Sequence, residues 1–310
     1  MKIWLGLESI KTPFVNSAVS IGQFDGLHVG HQALIGLAVA EAKRIDGRSV
    51  VFTFDRHPME LIAPERAPGQ ITTLDQRAEL IAACGVDDLV IAKFDHRFRD
   101  LSPETFLHFV LVGVLGAASV SVGHDFRFGC NQAGDVDYMS AAEARLRYKT
   151  NIIDSVMVRG EKASSTRVRS LLREGSVAEA AQVLGRPFAL TGTVVHGQQL
   201  GRTLGFPTAN LATTDRQLLP KDGVYAVMVN DGTTRRQGAC SIGLRPTVNG
   251  KERTVETFLV DFDGDLYDQE LEFEFIERIR DEEKFHSLEE LVTAMHRDVQ
   301  IARNMLTSPI

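Results

Sequence analysis

Two histidines three residues apart, His28 and His31, stand among glycines in the stretch IGQFDGLHVGHQALI. They follow a short apolar run and lead into an apolar pattern of helical spacing. At i and i+3 of a helix start the two rings can face the same way. Imidazoles beside free backbone N–H groups and the positive end of a helix dipole suit phosphate, and can stabilise the charge that builds up during phosphoryl transfer. Gly26 and Gly30 would let the backbone approach such a ligand closely. Two other readings stay open from the residues alone. One is a zinc pair, although neither HExxH nor a third ligand stands nearby. The other is a pair of structural loop histidines. GxxxxGK[ST] and GxGxxG are both absent, which argues against a P-loop and against a dinucleotide fold of the usual kind.

Further along the chain, ASSTRVRSLL offers Ser164, Ser165 and Thr166, which cap helices and donate hydroxyl hydrogen bonds, followed by Arg167 and Arg169. A hydroxyl-rich helix start followed by arginines is a second anion site, or an ordinary cap with a solvated basic face. In GRTLGFPTANL, the hydroxyl of Thr208 and the amide oxygen of Asn210 can ligate one Mg²⁺ that bridges phosphates. Gly201 and Gly205 would let backbone N–H groups fold over a nucleotide. On residue types alone this stretch reads as readily as a turn. Glu256, in RTVETFLVDF, shares a strand face with Phe258, Val260 and Phe262. A carboxylate there is either at a strand edge or, if buried, tuned to act as a general base.

The elements that must position these residues fall into two regimes. In the first half strand and helix patterns alternate: AVSIGQF, then HQALIGLAVAEAKRI; SVVFTFD, then TLDQRAELIAACG; DLVIAKF, then SPETFLHFVLVGVLG with Ser102 as cap and Pro103 at its first position; ASVSVG, then SAAEARLRYKT; and NIIDSVMV. Such alternation predicts a doubly wound α/β parallel sheet, whose ligands bind beyond the carboxyl ends of the strands, where Gly22 to His31 lie. After about residue 184 the strands are separated by glycine, asparagine and proline, with hairpin turns at VNDG and DFDGDLY, which predicts an antiparallel β-barrel or sandwich. A last helix is expected in SLEELVTAMHRDVQIARNML, opened by Ser287 with Glu290 three residues on.

Composition narrows the class. The chain has 310 residues, 44% hydrophobic and 24% charged, as expected of about two globular domains. A net charge of −7 argues against a broad nucleic-acid surface. The three cysteines, Cys84, Cys130 and Cys240, are widely spaced, which fits a reducing compartment better than a disulfide framework or structural zinc. The N-terminus lacks an apolar signal core, and the most apolar stretch, 109–123, is short and interrupted by glycine. These features predict a cytoplasmic protein with no membrane and no nucleic-acid partner. The oligomeric state, a homo-oligomer included, stays open.

GQFDGLHVGH taken with SSTRVR resembles the HxGH nucleotidyltransferases. GHDFRFGCNQAG and FTFDRHP resemble the adenylyltransferase module of the bifunctional prokaryotic FAD synthetases. GFPTAN, DGVYA, SIGLRPTV, TVETF and IRDEEKF are similar, in that order, to the riboflavin kinase module of the same family, so the resemblance covers nearly the whole chain. It implies an adenylyltransferase domain over 1–184 and a riboflavin kinase barrel over 185–310. ATP, riboflavin and FMN are the implied substrates and Mg²⁺ the implied cofactor. In the first domain it implies that His28 and His31 are catalytic, that Gly22, Phe24, Asp25, Gly26, Ser164, Ser165, Thr166 and Arg169 bind ATP or its pyrophosphate, and that Asp55, Asp125, Phe128 and Asn131 lie on the flavin side. In the second it implies that Gly201, Gly205, Pro207, Thr208 and Asn210 hold ATP, with Thr208 and Asn210 on the metal. Glu256 would take the proton of the ribityl 5′-hydroxyl, and Arg280 would lie on the flavin side. The chain departs from the family pattern at Arg56, where many members have proline, at Asp125, where some have asparagine, and at Gln132. A single-activity enzyme and a flavin-binding regulator are the alternatives to the two-step enzyme.

Overall fold

The structure, a computed structural model, describes residues 1–197, 206–214, 216–247 and 250–307. The chain forms two compact units. The first comprises residues 1–68 and 74–164, the second residues 69–73 and 165–310.

The first unit is built on a six-stranded sheet of β1 (Lys2–Leu5), β2 (Ser17–Ile21), β3 (Arg48–Phe54), β4 (Asp88–Ala92), β5 (Ala117–Gly123) and β6 (Lys149–Ile153), in the order β1-β4-β3-β2-β5-β6. Every neighbouring pair is parallel. All five residues of β2 are buried, as a strand covered on both faces requires. The order reverses at β2, which has β3 on one side and β5 on the other. The loop leaving β2 is therefore at the topological switch point. It runs into α1 (Val29–Arg44), which buries Leu34, Ile35, Ala38 and Ala42. Further helices are α2 (Leu74–Ala83) and α3 (Val136–Leu146). Two features depart from expectation. The four-residue edge strand β1 adds a sixth strand, and the helix capped by Ser102 widens over Phe106–Val114 into a π-helix, where the Leu115 N–H reaches back to the Val110 carbonyl.

The second unit is a closed antiparallel barrel. Its strands are β9 (Phe188–Val195), β10 (Thr208–Ala212), β11 (Gly223–Asn230), β12 (Arg235–Thr247), β13 (Gly250–Leu259) and β14 (Glu270–Arg280), in the order β10-β13-β12-β11-β14-β9, with β9 pairing β10 to close it. A two-stranded hairpin, β7 (Met157–Val158) and β8 (Glu161–Lys162), precedes it in the first unit. Inside the barrel lie Leu190, Leu211, Tyr225, Val255, Phe273 and Phe275. The C-terminal helix runs Leu288–Thr307, and the Ser287 hydroxyl accepts from the Glu290 N–H. Glu290 reaches back to the His286 N–H, one residue short of the expected capping box.

Packing does not divide the chain at residue 184. Helices α4 (Ser165–Glu174) and α5 (Val177–Leu184) belong to the second unit: α5 packs on β14 and β9, and the Lys221 N–H donates to the Leu172 carbonyl. Residues 69–73 join them. Gln70 exchanges backbone bonds with Arg216 and Leu218, and the buried Arg169 donates to the Gly69 carbonyl at 2.8 Å. The C-terminal helix is α6 hereafter. No helix among the described residues is long and apolar enough to cross a membrane.

Candidate active sites

The loop from β2 to α1 is held by its own side chains. Phe24, Gly26 and Leu27 have φ of 52°, 80° and 40°. Only glycine adopts such angles without cost, so Phe24 and Leu27 must be fixed by burial, and both side chains are in the core. His28 is the N-cap of α1. Its Nδ1 accepts from the N–H of Gly30 at 3.2 Å and of His31 at 3.3 Å. An accepting Nδ1 carries no proton, so the neutral ring has its hydrogen on Nε2. The imidazole is pushed down to about 4, chiefly by burial and in part by the nearby Lys162 ammonium, with Asp25 opposing them. His28 is thus a neutral ring with a single N–H to offer. The His31 ring stacks on it, with centroids 3.6 Å apart and planes 23° apart, and meets the buried Phe24 ring edge-on. A Cβ on Gly30 would lie 3.1 Å from the His28 ring, so that glycine keeps the cap seated.

Lys162 is the residue that sequence reasoning missed. It lies at the end of β8, and its Nζ is 2.5 Å from the Asp125 carboxylate. This pairing holds the Asp125 carboxyl below the usual carboxylate range. The acidic departure at Asp125 is therefore matched by a cation of the same unit. No spacing in the sequence links the two, because they meet only through the hairpin that ends beside β5.

Next to the end of β2 is a cavity of about 600 Å³ lined by phenylalanines, among them Phe54, Phe98, Phe106, Phe126 and Phe128, and also by Ile21, Arg127 and Asn131. Phe126 and Phe128 stack at 5.6 Å, and Phe106 lies 5.3 Å from Phe128. Such a slot suits a flat aromatic ring system. Of the four residues expected on the flavin side, Phe128 and Asn131 line this cavity. Asp55 and Asp125 do not: Asp55 accepts from the Phe94 N–H at 2.8 Å, and Asp125 holds Lys162. Arg56 ion-pairs with Asp55, and its carbonyl accepts from Gln23. Ser164 ends the first unit, whereas Ser165, Thr166 and Arg169 are on α4 of the second.

In the barrel, Thr208, Asn210 and Glu256 share an outward face. Asn210 stands directly opposite Glu256, and Glu256 opposite Ser241. Residues paired in this way have Cβ atoms about 5 Å apart. Thr208 lies between two cavities. One, of about 420 Å³, is lined by Pro207, Thr208, Asn210, Asp263, Asp265 and Tyr267. The other, of about 300 Å³ beneath α6, is lined by Thr208, Ser241, Glu256, Phe258, Arg280 and Asp298 among others. Arg280 thus lines the second cavity, but its guanidinium is bound to Asp298. Gly201 and Gly205 lie outside the described residues. Thr208 and Asn210 offer only oxygen donors from their side chains, with Asp263 and Asp265 on the same cavity, a set that fits a hard cation such as Mg²⁺. Among the described residues no cluster of three His, Cys, Asp or Glu side chains could hold a metal by itself, so a cation here would share its shell with phosphate and water.

Comparison with known proteins bears on both sites. Residues 11–167 match the family model described as FAD synthetase, and residues 184–306 the one described as riboflavin kinase. A bifunctional riboflavin kinase/FMN adenylyltransferase of Pseudomonas fluorescens is 38% identical over 98% of this chain and 97% of its own length. One from Escherichia coli K12 is 37% identical over 100% of both. A solved structure described as a macrolide-efflux protein from Streptococcus pneumoniae is 31% identical with a TM-score of 0.88, covering 98% of this chain and 99% of that one. Its description differs from the others, and its match speaks for the fold.

Proposed function

The chain belongs to the family of bifunctional riboflavin kinase/FMN adenylyltransferases, and from that premise we propose how its residues divide the two reactions. The protein is a riboflavin kinase and an FAD synthetase. It phosphorylates riboflavin with ATP to give FMN, and transfers AMP from ATP to FMN to give FAD and pyrophosphate.

In our reading the kinase chemistry belongs to residues 185–310. Glu256 accepts the proton of the ribityl 5′-hydroxyl as that oxygen attacks the γ-phosphorus. Thr208 and Asn210 would hold the Mg²⁺ of MgATP, and Gly201, Gly205 and Pro207 are assigned to ATP. The bound Mg²⁺ would neutralise phosphate charge. The observation that carries this reading is the rung Asn210–Glu256 beside Thr208, the residue common to two cavities. It supports a base and metal donors one ladder step apart.

The adenylyl transfer belongs to residues 1–184, although packing groups 165–184 with the barrel. FMN phosphate is already ionised and attacks the α-phosphorus without a strong base. The work left to the protein is positioning and charge stabilisation. The Nε2–H of His28 and the ring of His31 act on the phosphates at the start of α1. Gly22, Phe24, Asp25 and Gly26 shape that loop. Ser164, Ser165 and Thr166 take the leaving pyrophosphate, with Arg169 securing their helix. The phenylalanine cavity receives the flavin ring, with Phe128 and Asn131 on its wall and with Asp55 and Asp125 fixing the segments around it. The acidic balance and low cysteine content support a cytoplasmic enzyme that acts on small molecules, not on nucleic acid or membrane.

The test is a time course. Purified protein is incubated with riboflavin, ATP and Mg²⁺, and the flavins are separated by chromatography. FMN first and FAD later is the expected result. FMN that accumulates with no FAD would reduce the first half to a binding domain.

A further inference from the structure

A buried ion pair stands on the wall of the cavity that contains Glu256. Arg280 ends β14, Asp298 is in the middle of α6, and both line that cavity. Nε of the guanidinium lies 2.9 Å from one carboxylate oxygen, and Nη2 lies 2.7 Å from the other. The two side chains are 12% and 5% exposed. The remaining nitrogen, Nη1, donates to the Asp281 carbonyl at 2.9 Å. All three nitrogens are therefore engaged within the protein. The pair joins three pieces: the end of β14, the segment after it and the helix. Residues Glu282, Phe285, Leu291, Met295 and Val299 of the last two supply the rest of that wall.

The helix needs such a fastening. The buried residues of α6 are Asp298 and Ala302, and the apolar patch beneath it is built on Ala226, Ala239 and Ala302, with Ile279, Val299 and Leu306 only partly buried against it. Small residues allow close approach but give little side-chain area to fix the helix's rotation. A fork-to-carboxylate pair supplies direction as well as attraction.

We propose that Arg280 and Asp298 are positioning residues of the kinase reaction, which hold α6 and residues 281–285 as the wall against which the ring of riboflavin lies. This rests on the assignment of Glu256 as the base. Along the ladder Glu256 pairs with Ser241, Ser241 with Val224 and Val224 with Arg280. Glu256 and Arg280 are thus three strands apart in a closed barrel of six, and both line the cavity beneath α6. Glu256, Arg280 and Asp298 line one cavity, so a flavin whose ribityl tail reaches Glu256 lays its ring toward the pair, and loss of the pair acts on flavin binding and not on the chemical step.

The experiment uses the full chain with Asp298→Asn, Asp298→Glu and Arg280→Lys. FMN formation is assayed from riboflavin and MgATP, and FAD formation from supplied FMN and MgATP. Riboflavin binding without ATP is followed by quenching of flavin fluorescence. In Asp298→Asn the riboflavin KM rises about tenfold or more, kcat stays within about threefold, and the KM for ATP stays within about twofold. Binding weakens in step with the riboflavin KM, and FAD formation from FMN is unchanged. Arg280→Lys, which keeps the charge but loses the fork, behaves alike, and Asp298→Glu recovers part of the affinity. An unchanged riboflavin KM overturns the proposal, as does a kcat that falls at constant KM. Should Asp298→Asn leave the barrel unfolded, Asp298→Glu and Arg280→Lys decide by the same KM-against-kcat split. Failure of the kinase assignment itself shows separately, as a Glu256→Gln protein that still makes FMN.

Discussion

Asn210 on β10 faces Glu256 on β13 directly across the antiparallel ladder, and Thr208 is on the same face of β10 two residues away. The amide oxygen and the carboxylate to which we assign metal binding and proton transfer are thus one rung apart on the ladder. Replacing Glu256 by Gln keeps the shape and removes the proton acceptor. FMN formation should fall by roughly 10²–10⁴-fold. FAD formation from supplied FMN should stay within about twofold of the wild type, since the two assays draw on different halves of the chain. Equal loss of both activities, with a normal melting curve, would remove Glu256 from its role.

Substitution can separate the cap from the role proposed for His28. Its Nδ1 caps α1, and in our proposal its Nε2–H acts on phosphate. His28→Ala loses both, so FAD formation should disappear and stability should drop by about 1 kcal/mol, the usual worth of an N-cap. His28→Asn retains a cap acceptor. It should melt near the wild type yet remain inactive in FAD formation, while FMN formation continues in both variants. Recovery of activity along with stability in His28→Asn would make the residue a structural cap and nothing more.

Strand and helix alternation and the barrel regime were legible because each is written in local sequence: apolar period, cap residue, glycine at the turn. What escaped was non-local or sub-threshold. KIWL is too short an apolar run to signal β1, which exists because β4 offers it an edge. Ser102, Pro103 and the apolar spacing announce a helix, but the same spacing serves α and π windings, so the π character of Phe106–Val114 was invisible. Ser165 to Leu184 read as the tail of the first domain because they follow its strands, yet they bury Val168, Leu172, Val183 and Leu184 within the second unit. Lys162 and Asp298 carry no motif. Their importance comes from the carboxylate or guanidinium that the fold brings to them.

The Lys162–Asp125 pair makes a salt-dependent prediction. Lys162→Ala would leave an unmatched carboxylate beside the site proposed for anionic substrates. FAD formation should weaken through the KM values of FMN and ATP, most at low ionic strength, where the repulsion is least screened. Asp125→Asn should do the reverse, lowering those KM values by up to a few fold, because it frees the Lys162 ammonium without adding charge. The pair is largely exposed, so neither change should move stability by more than about 1 kcal/mol. Parallel losses in both variants would mean that the pair acts as a structural strut.

The pH dependence of the first unit follows from His28. Its folded form titrates at about 4, against 6.5 for the free side chain, chiefly through burial. From about pH 8 down to about pH 5 the ring therefore stays neutral, with its proton on Nε2, and FAD formation should show no inflection near pH 6.5 arising from this residue. Stability behaves differently. Above pH 6.5 neither the folded nor the unfolded chain binds a proton at residue 28, and the full stability is present. As the pH falls from 6.5 toward about 4, the unfolded chain takes up a proton that the folded one refuses, and stability declines through that window before levelling below it. At pH 5 the loss should be about 1–2 kcal/mol. Urea unfolding of the wild type and of His28→Asn at pH 7 and pH 5 isolates the effect, since the variant has no group to titrate at that position. The wild type should lose more stability than the variant between the two pH values. Equal losses would mean that the folded His28 takes up its proton as readily as the unfolded one, and the neutral Nε2 donor would then have to be given up.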